Sequence, residues 1–298
     1  MPDAAELLLR SSASAGTAVS IEVGPDDAGW EFIGLRVQRI QSGGFVNYSS
    51  GLDEVCLVPL RGTATVESNG QSWTISRPGS VFDGKPTALY LPVRSTMTIT
   101  ANDGDAEIAI ASSRASEHFP ARLIAPDEIS VEIRGAGNAA RQINHIIAPD
   151  FPAHRLLVVE VFTPSGNWSS FPPHKHDVSN LPAEADLEEI YYYRIDPSEG
   201  FGLQRLYTTD GSLDHAWVIR DGDLLLVPEG YHAFAVAHGY TAYYLNVLAG
   251  DEVIRTMQPS DDPSFGWVRD TWTDSSNEGL NSWRDIDTRV NAGAGQRR

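Results

Sequence analysis

The sequence contains one cysteine, Cys56, so no disulfide bond can form within the chain. It has no apolar run that approaches the roughly 18 residues a helix needs to cross a membrane. Its first residues, MPDAAELLLRSSASAG, lack the basic stretch and the following apolar stretch of a secretory signal. Together these absences predict a protein of the cytoplasm.

Positive charge is also scarce. The chain has 22 lysine and arginine residues against 40 aspartate and glutamate residues, which gives a formal net charge of −18. Nucleic acids and anionic membrane surfaces are bound by clustered basic side chains, so we expect neither as a partner. The expected partner is a small molecule, and the sequence leaves open whether the chain acts alone or as a homo-oligomer.

Helical periodicity is nearly absent from the sequence. Short runs of apolar and β-branched residues, such as EVCLVPL and RLLVVEVFT, alternate instead with turns rich in Gly, Pro, Asn and Asp. Many short strands at regular spacing are typical of β-sandwiches and β-barrels. The sequence predicts an all-β protein with one unit over residues 1–130, a second over 131–270 and a polar tail over 271–298.

A weak internal repeat supports two units of similar fold. The run DEVCLVPL (53–60) aligns with EEIYYYRI (188–195), so the first unit keeps an acidic residue, Glu54. The run LYLPVRST aligns with LLVPEGYH, and this sets Thr96 where the second unit has His232. Because the first unit lacks the histidines, we expect only the second unit to carry chemistry.

Two histidines one residue apart, His174 and His176, follow a Pro-Pro step in the stretch FPPHKHD. In an extended strand, residues i and i+2 point to the same face, so both imidazoles would aim at one place. Lys175 would point away from them, either into solvent or toward the rim of a substrate site. This geometry suits a pair of metal ligands.

Further donors follow along the chain. Glu189 opens the strand-like run EIYYYRI, and a Pro-x-Gly turn delivers His232. Three imidazoles and one carboxylate suit one divalent ion of Mn, Fe, Zn or Ni per chain and leave coordination positions open. Glu184 and Glu188 stay open as alternatives to Glu189, because twelve residues lie between His176 and Glu189.

These motifs resemble those of the cupin superfamily, whose small β-barrels hold a metal on three histidines and one glutamate. The longer stretches FPPHKHD, LEEIYYYRIDPSEGFGLQRLYT and DGDLLLVPEGYH resemble a narrower family, the bicupin uronate isomerases of bacterial myo-inositol catabolism and pectin breakdown. The resemblance covers nearly the whole chain. It implies an all-β bicupin with a metal-free N-terminal barrel and with four metal ligands, His174, His176, Glu189 and His232.

The same resemblance implies a metal-dependent aldose–ketose isomerase that converts 5-deoxy-D-glucuronate into 5-dehydro-2-deoxy-D-gluconate. Three other functions stay open at this point. They are a pectin-pathway uronate ketol-isomerase, a cupin dioxygenase that uses iron and oxygen at the same ligands, and a sugar-binding protein without turnover.

Several side chains near the metal motif are candidates for contacting the substrate. Tyr191 and Tyr193 share a strand face with Glu189. Tyr193 is one of three candidate bases, and the other two are a metal-bound hydroxide and a free carboxylate. Gln204 and Arg205 have opposite parity in their strand, so only one of them can face the barrel interior. Arg205 is a candidate either for binding the substrate's carboxylate or for a structural salt bridge.

Overall fold

The computed structural model describes residues 4–11, 18–252, 254–273 and 277–292. Over these residues the regular secondary structure is almost entirely antiparallel β-strand. In chain order the strands are β1 Leu8–Leu9, β2 Val19–Val23, β3 Ile33–Ile40, β4 Phe45–Ser49, β5 Asp53–Ser68, β6 Gln71–Arg77, β7 Ala88–Leu91, β8 Thr96–Ala101, β9 Ala106–Arg114, β10 Arg122–Ile124, β11 Ser130–Arg134, β12 Arg141–Ile147, β13 Leu157–Thr163, β14 Trp168–Lys175, β15 Asp177–Asn180, β16 Glu184–Asp186, β17 Glu188–Asp196, β18 Gly202–Tyr207, β19 Asp214–Ile219, β20 Leu224–Val227, β21 Tyr231–Val236, β22 Thr241–Ala249 and β23 Ser260–Asp261.

Helices are few and short. The described residues contain α1 Ala4–Leu7, α2 Pro25–Ala28, α3 Trp283–Ala292 and two 3₁₀ helices, Gly137–Ala139 and Gly266–Thr271. Within the part of the chain described, none of these helices has the length and apolar character needed to span a bilayer.

The first unit is organised around the long strand β5. Its first half pairs with β7 and β9, and its second half pairs with β6 and β8. Val55 and Leu57 point into the core of the first barrel, whereas Cys56 and Val58 join the core that is shared with the second unit. Both faces of the first half of this strand are therefore buried, which explains the nearly continuous apolar run over residues 54–60.

The second unit is built from two facing sheets. One has the strand order β1-β20-β17-β22-β13-β12-β11, and the other has the order β19-β18-β21-β14-β23. Strand β17 shows how the faces divide: Tyr191 and Tyr193 pack inward against Tyr244. The intervening Tyr192 is also buried, and its electrostatic neighbours include Glu107 of the first unit.

A buried ion pair lies at the joint between the units. The guanidinium of Arg77 donates to the Glu160 carboxylate, and it also donates to the carbonyl oxygens of Pro59, Val81 and Gly84. Tyr243 donates to the same carboxylate at 3.0 Å. Because each charged group has several partners, the cost of removing this pair from water is largely offset.

The first and last described segments pack onto the second unit. Strand β1 pairs with β20, and Leu7 beside it is buried. Near the other end, Trp283 of α3 stacks on Phe162 with ring centroids 6.2 Å apart. Arg284 donates to the carbonyl oxygen of Phe82 in the first unit at 2.5 Å. Residues 274–276 and 293–298 of the predicted tail lie outside the described residues, and the predicted unit boundaries stay predictions.

Candidate metal centre

Four predicted ligands meet between the two sheets of the second unit. His174 on β14 lies directly opposite His232 on β21, and Glu189 on β17 approaches from the facing sheet. Donor atoms of His176, Glu189 and His232 all lie within 4.8 Å of one another. Oε2 of Glu189 is 2.8 Å from Nε2 of His176 and 3.2 Å from Nε2 of His232.

His174 completes the arrangement at its more open side. Its ring centroid is 4.7 Å from that of His232 and 6.4 Å from that of His176. The compact group of donor atoms does not include His174, whose residue is partly exposed while the other three are buried. His174 is therefore the most exposed of the four residues.

The hydrogen bonds of Nδ1 leave Nε2 of each imidazole available to the site. Each Nδ1 lies against a backbone carbonyl oxygen: His174 against Pro172 at 3.3 Å, His176 against Leu187 at 3.0 Å and His232 against Gly230 at 3.3 Å. Since a carbonyl oxygen only accepts, Nδ1 carries the proton in a neutral ring and Nε2 is an acceptor. Nε2 of His232 is buried and has no hydrogen-bond partner within the described residues. Acceptors that face one another in this way fit a bound cation.

The charges at the site agree with that fit. Burial lowers the pKa of His174 well below 6.5, and burial also lowers the pKa of His232. Burial opposes a charge on His176 and on Glu189, but their mutual attraction outweighs it, so the pKa of His176 is raised and that of Glu189 falls to about 2. At neutral pH the site thus offers an ionised carboxylate and the neutral imidazoles of His174 and His232, the states in which such groups bind metals. Glu189 favours the charged form of His176, and a bound cation would take the place of that proton beside the carboxylate.

Asn246 on β22 holds the carboxylate in place. Its Nδ2 donates to Oε1 of Glu189 at 2.6 Å and to the carbonyl oxygen of Ile190 at 3.2 Å. Sequence reasoning missed this residue. The available signal was a polar residue in the otherwise apolar run YYLNVLAG, next to Tyr191 in the sheet register. Such supporting hydrogen bonds orient ligands and tune their affinity.

Glu188 points away from the histidines. Its Oε2 accepts hydrogen bonds from the backbone N–H groups of Phe32 at 2.9 Å and Ile33 at 3.0 Å. Consecutive residues of a strand face opposite sides, so Glu188 reaches the first unit while Glu189 faces the site. Among these two alternatives, the geometry favours Glu189.

Two of the predicted substrate contacts lie outside the site. Arg205 is exposed, and its Nη2 pairs with Oδ2 of Asp214 at 2.8 Å. Lys175 pairs with Asp177 and, at 2.7 Å, with Glu184, which also removes Glu184 from the ligand position. The structure therefore brings neither cation to the histidines.

The aromatic candidates line the interior. Tyr193 donates to Oε1 of Gln204 at 2.8 Å, and Tyr191 packs edge-on against His232 with ring centroids 5.8 Å apart. Burial raises the pKa of both phenols well above 10. Both tyrosines thus keep their protons at neutral pH, which argues against Tyr193 as the base. Gln204 is fully buried and faces inward, opposite in parity to the exposed Arg205.

Comparison with known proteins places the chain in a family. The sequence model of the KduI/IolB family matches residues 7–268. A curated 5-deoxy-glucuronate isomerase from Geobacillus kaustophilus HTA426 is 43% identical over 253 residues, which cover 84% of this chain and 91% of that protein. The chain belongs to the KduI/IolB family. A second relative of the same name, from Bacillus subtilis 168, is 38% identical over 86% of this chain and 94% of its own length.

Solved structures agree with the KduI/IolB assignment. An IolB-like protein from Salmonella typhimurium LT2 has 36% sequence identity and a TM-score of 0.84, covering 88% of this chain and 99% of its own. Oxalate decarboxylase from Lactobacillus farciminis has a TM-score of 0.61 over 94% of this chain and 95% of its own. At 12% identity the latter likeness concerns the fold alone. The predicted all-β bicupin fold and family resemblance are confirmed.

Proposed function

We propose that this protein is a metal-dependent aldose–ketose isomerase that acts on 5-deoxy-glucuronate. The observation that carries the proposal is the similarity to relatives named 5-deoxy-glucuronate isomerase, which extends over 91% of the Geobacillus kaustophilus protein. The reaction moves a proton between adjacent carbons and changes no overall oxidation state. Its product is the corresponding ketose, 5-dehydro-2-deoxy-gluconate.

We place one divalent metal ion on His174, His176, Glu189 and His232. The support is the cluster of donor atoms of His176, Glu189 and His232, with the ring of His174 beside that of His232. Nε2 of His232 also has no hydrogen-bond partner among the described residues. When bound, such an ion supplies Lewis-acid polarisation of the substrate's carbonyl oxygen and orients the neighbouring carbon. Three imidazoles and one carboxylate suit Mn, Fe, Zn or Ni.

The chain's own residues supply orientation and a dry surface. Asn246 fixes the Glu189 carboxylate, so the anionic donor does not rotate away from the histidines. Tyr191, Tyr244 and Phe234 form an aromatic wall behind His232, with centroid distances of 4.8 Å between the two tyrosines and 5.9 Å between Tyr244 and Phe234. A surface of this kind excludes water and strengthens the electrostatic interactions beside it.

A turnover assay of the purified full chain tests the proposal. The protein is incubated with 5-deoxy-glucuronate in air and under nitrogen, before and after treatment with a chelator and readdition of single metals. We expect equal conversion with and without oxygen, loss of activity on chelation and recovery with at least one divalent metal.

Each alternative gives a different result in the same assay. Oxygen consumption in proportion to product identifies a dioxygenase. Conversion of a pectin-derived uronate in preference to 5-deoxy-glucuronate identifies a pectin-pathway isomerase. Binding of sugars without conversion by the metal-loaded protein identifies a sugar-binding protein.

A further inference from the structure

Arg141 is a buried arginine that has no anionic partner among the described residues. Only 3% of its surface is exposed. Its Nη1 donates to the carbonyl oxygens of Ala139 and Phe171, both at 3.2 Å. Neither Nε nor Nη2 makes a hydrogen bond to the described residues, and no described carboxylate forms an ion pair with this guanidinium. Burial lowers the pKa of Arg141 to about 10, so the side chain is still charged at neutral pH.

The other buried arginine of the described chain, Arg77, has hydrogen-bond partners that include a carboxylate. Arg77 is 1% exposed and binds the Glu160 carboxylate as well as three backbone carbonyl oxygens. A guanidinium removed from water without an anion is costly, because neutral carbonyl groups replace only part of its hydration. Only Nη1 of the Arg141 guanidinium has partners, and the unused donors therefore indicate that an anion binds there in the functional state.

The sheet register places Arg141 on the inward face of the second unit. Ile143 pairs with Val161, and Val161 pairs with Tyr244, so these side chains share the face that also carries the metal-site residues. Arg141 is two residues before Ile143 in β12 and lies on the same face. Its bond to the Phe171 carbonyl oxygen ties it to β14, the strand that carries His174.

The electrostatics agree with this placement. Burial has the largest effect on the pKa of His174, and the positive charge of Arg141 adds to the lowering. Burial raises the pKa of Tyr244, and Arg141 acts in the opposite direction. Arg141 is thus close enough to influence both the open side of the metal centre and its aromatic wall.

We propose that Arg141 binds the carboxylate group of the uronate substrate. This rests on the proposed function insofar as the substrate is a uronate. A planar guanidinium offers parallel N–H donors that match the two oxygens of a carboxylate, and its bonds to carbonyl oxygens fix the fork before substrate arrives. The reacting end of the sugar is then free to face the histidines.

The neighbouring arginines already form ion pairs with carboxylates of the protein. Arg134 lies opposite Arg141 in the β11–β12 register, but its Nε pairs with Oε1 of Glu132 at 2.7 Å. Arg269 pairs with Asp261, as Arg205 pairs with Asp214. A chain of net charge −18 needs a local cation to attract an anionic sugar, and Arg141 is the buried one at this site.

The kinetic test compares an acid with its neutral analogue. Wild type, Arg141→Gln and the control Arg134→Gln are assayed with 5-deoxy-glucuronate and with 5-deoxy-glucose, in which a hydroxymethyl group replaces the carboxylate. We expect Arg141→Gln to reduce kcat/KM for the acid by about tenfold or more, mainly through KM, because charge-assisted hydrogen bonds are lost. Metal content and kcat/KM for the neutral sugar stay at the wild-type level, and Arg134→Gln retains the preference for the acid.

A binding test gives the same comparison without turnover. Calorimetry of the metal-loaded proteins with D-glucuronate and D-glucose should show that Arg141→Gln weakens only the binding of the acid. Arg141→Lys keeps the charge but loses the planar fork, so its preference should fall between those of wild type and Arg141→Gln. The lysine variant also decides the question if the glutamine variant does not fold.

The outcomes separate the two proposals. If wild type binds D-glucuronate through Arg141 but does not isomerise 5-deoxy-glucuronate, the proposed function fails and the carboxylate site stands. If wild type isomerises the substrate and both Arg141 variants keep its preference for the acid, the site fails and the function stands. Equal losses for acid and neutral sugar, or loss of metal, show a structural role and overturn the inference.

Discussion

Glu54 and Glu188 each accept backbone hydrogen bonds from the opposite unit. Oε1 of Glu54 accepts from the N–H groups of Arg155 at 2.6 Å and Leu156 at 2.7 Å. Oε2 of Glu188 accepts from the N–H group of Ile33 at 3.0 Å, and two further N–H groups of the same segment donate to this carboxylate. These two bridging glutamates hold the barrels together from both sides.

The strand registers show that the bridging glutamates are counterparts in the repeat. Val55 lies opposite the residue before Pro92, and Glu189 lies opposite the residue before Pro228. Val55 is therefore the counterpart of Glu189, and the bridging glutamates come one residue earlier in each strand. The repeat alignment drawn from the sequence set Glu54 against Glu189 and is wrong by one residue. In the corrected alignment Val55 of the first barrel stands where the proposed metal centre has Glu189.

Glu54→Gln should destabilise the protein while leaving its metal content unchanged. The amide replaces an anion that accepts several N–H groups in a fully buried position, so we expect a loss of about 2–4 kcal/mol in the free energy of unfolding. Urea unfolding followed by tryptophan fluorescence measures it. Glu67→Gln, on the exposed face of the same strand, is the control and should change stability by less than about 0.5 kcal/mol. Equal stability of the two variants would contradict the bridging role.

Glu189→Gln and Glu188→Gln should separate ligation from bridging. We expect Glu189→Gln to lose the metal and turnover, because the site's anionic donor becomes neutral. Glu188→Gln should keep the metal and lose stability. Elemental analysis after gel filtration, together with urea unfolding, distinguishes the two variants. Metal loss in Glu188→Gln alone would reverse the assignment of the ligand.

Asn246→Leu should weaken metal binding without abolishing it. The variant loses the hydrogen bond that orients Glu189, and losses of this kind reduce metal affinity by about 10–100-fold. Titration of the metal-free protein with a chelator-buffered metal gives the dissociation constant. Excess metal should restore the activity of Asn246→Leu but not that of Glu189→Gln. An unchanged dissociation constant would mean that Asn246 serves packing alone.

Glu132→Gln should change the dependence of stability on pH. Hydrogen bonds from His145 and Arg134 hold the pKa of Glu132 at about 2, against its usual 4.5. Because the folded-state pKa is lower than the unfolded one, the ionised carboxylate stabilises the fold above about pH 4.5, and this contribution disappears as the pH falls toward 2. Melting temperatures of wild type and Glu132→Gln should therefore differ at pH 6 and converge at acid pH. A constant difference across this range would exclude ionisation of Glu132 as its source.

Residue spacing was sufficient to predict the strands and the meeting of the histidines, because side chains alternate strictly along a strand. The opposite orientation of Gln204 and Arg205 follows from the same rule and is confirmed by their burial. The sequence alone could not decide which of two adjacent residues in one repeat corresponds to a given residue in the other. The first half of β5 and most of β17 are buried on both faces, so their apolar runs carry no alternation that would fix which face meets the other unit.

Arg141 and Asn246 could not be identified from the sequence for a different reason. Asn246 is one polar residue in a largely apolar strand, Arg141 is one of four polar residues in β12, and neither belongs to a spaced motif. Their roles depend on pairings between distant strands, which place Arg141 beside β14 and Asn246 beside Glu189. Such long-range contacts leave no local pattern.

The pairing of β1 with β20 has a consequence for how the protein is made. The ion pair between Arg10 and Asp223 beside these strands joins residues 213 positions apart. At a synthesis rate of about 5–20 residues per second, the first strand waits on the order of 10–40 seconds after leaving the ribosome before its partner emerges. Until then β20 lacks its edge partner in the second unit, and the beginning of the chain must avoid aggregation. A chain that loses its first ten residues would expose the backbone edge of β20 and tend to associate through it.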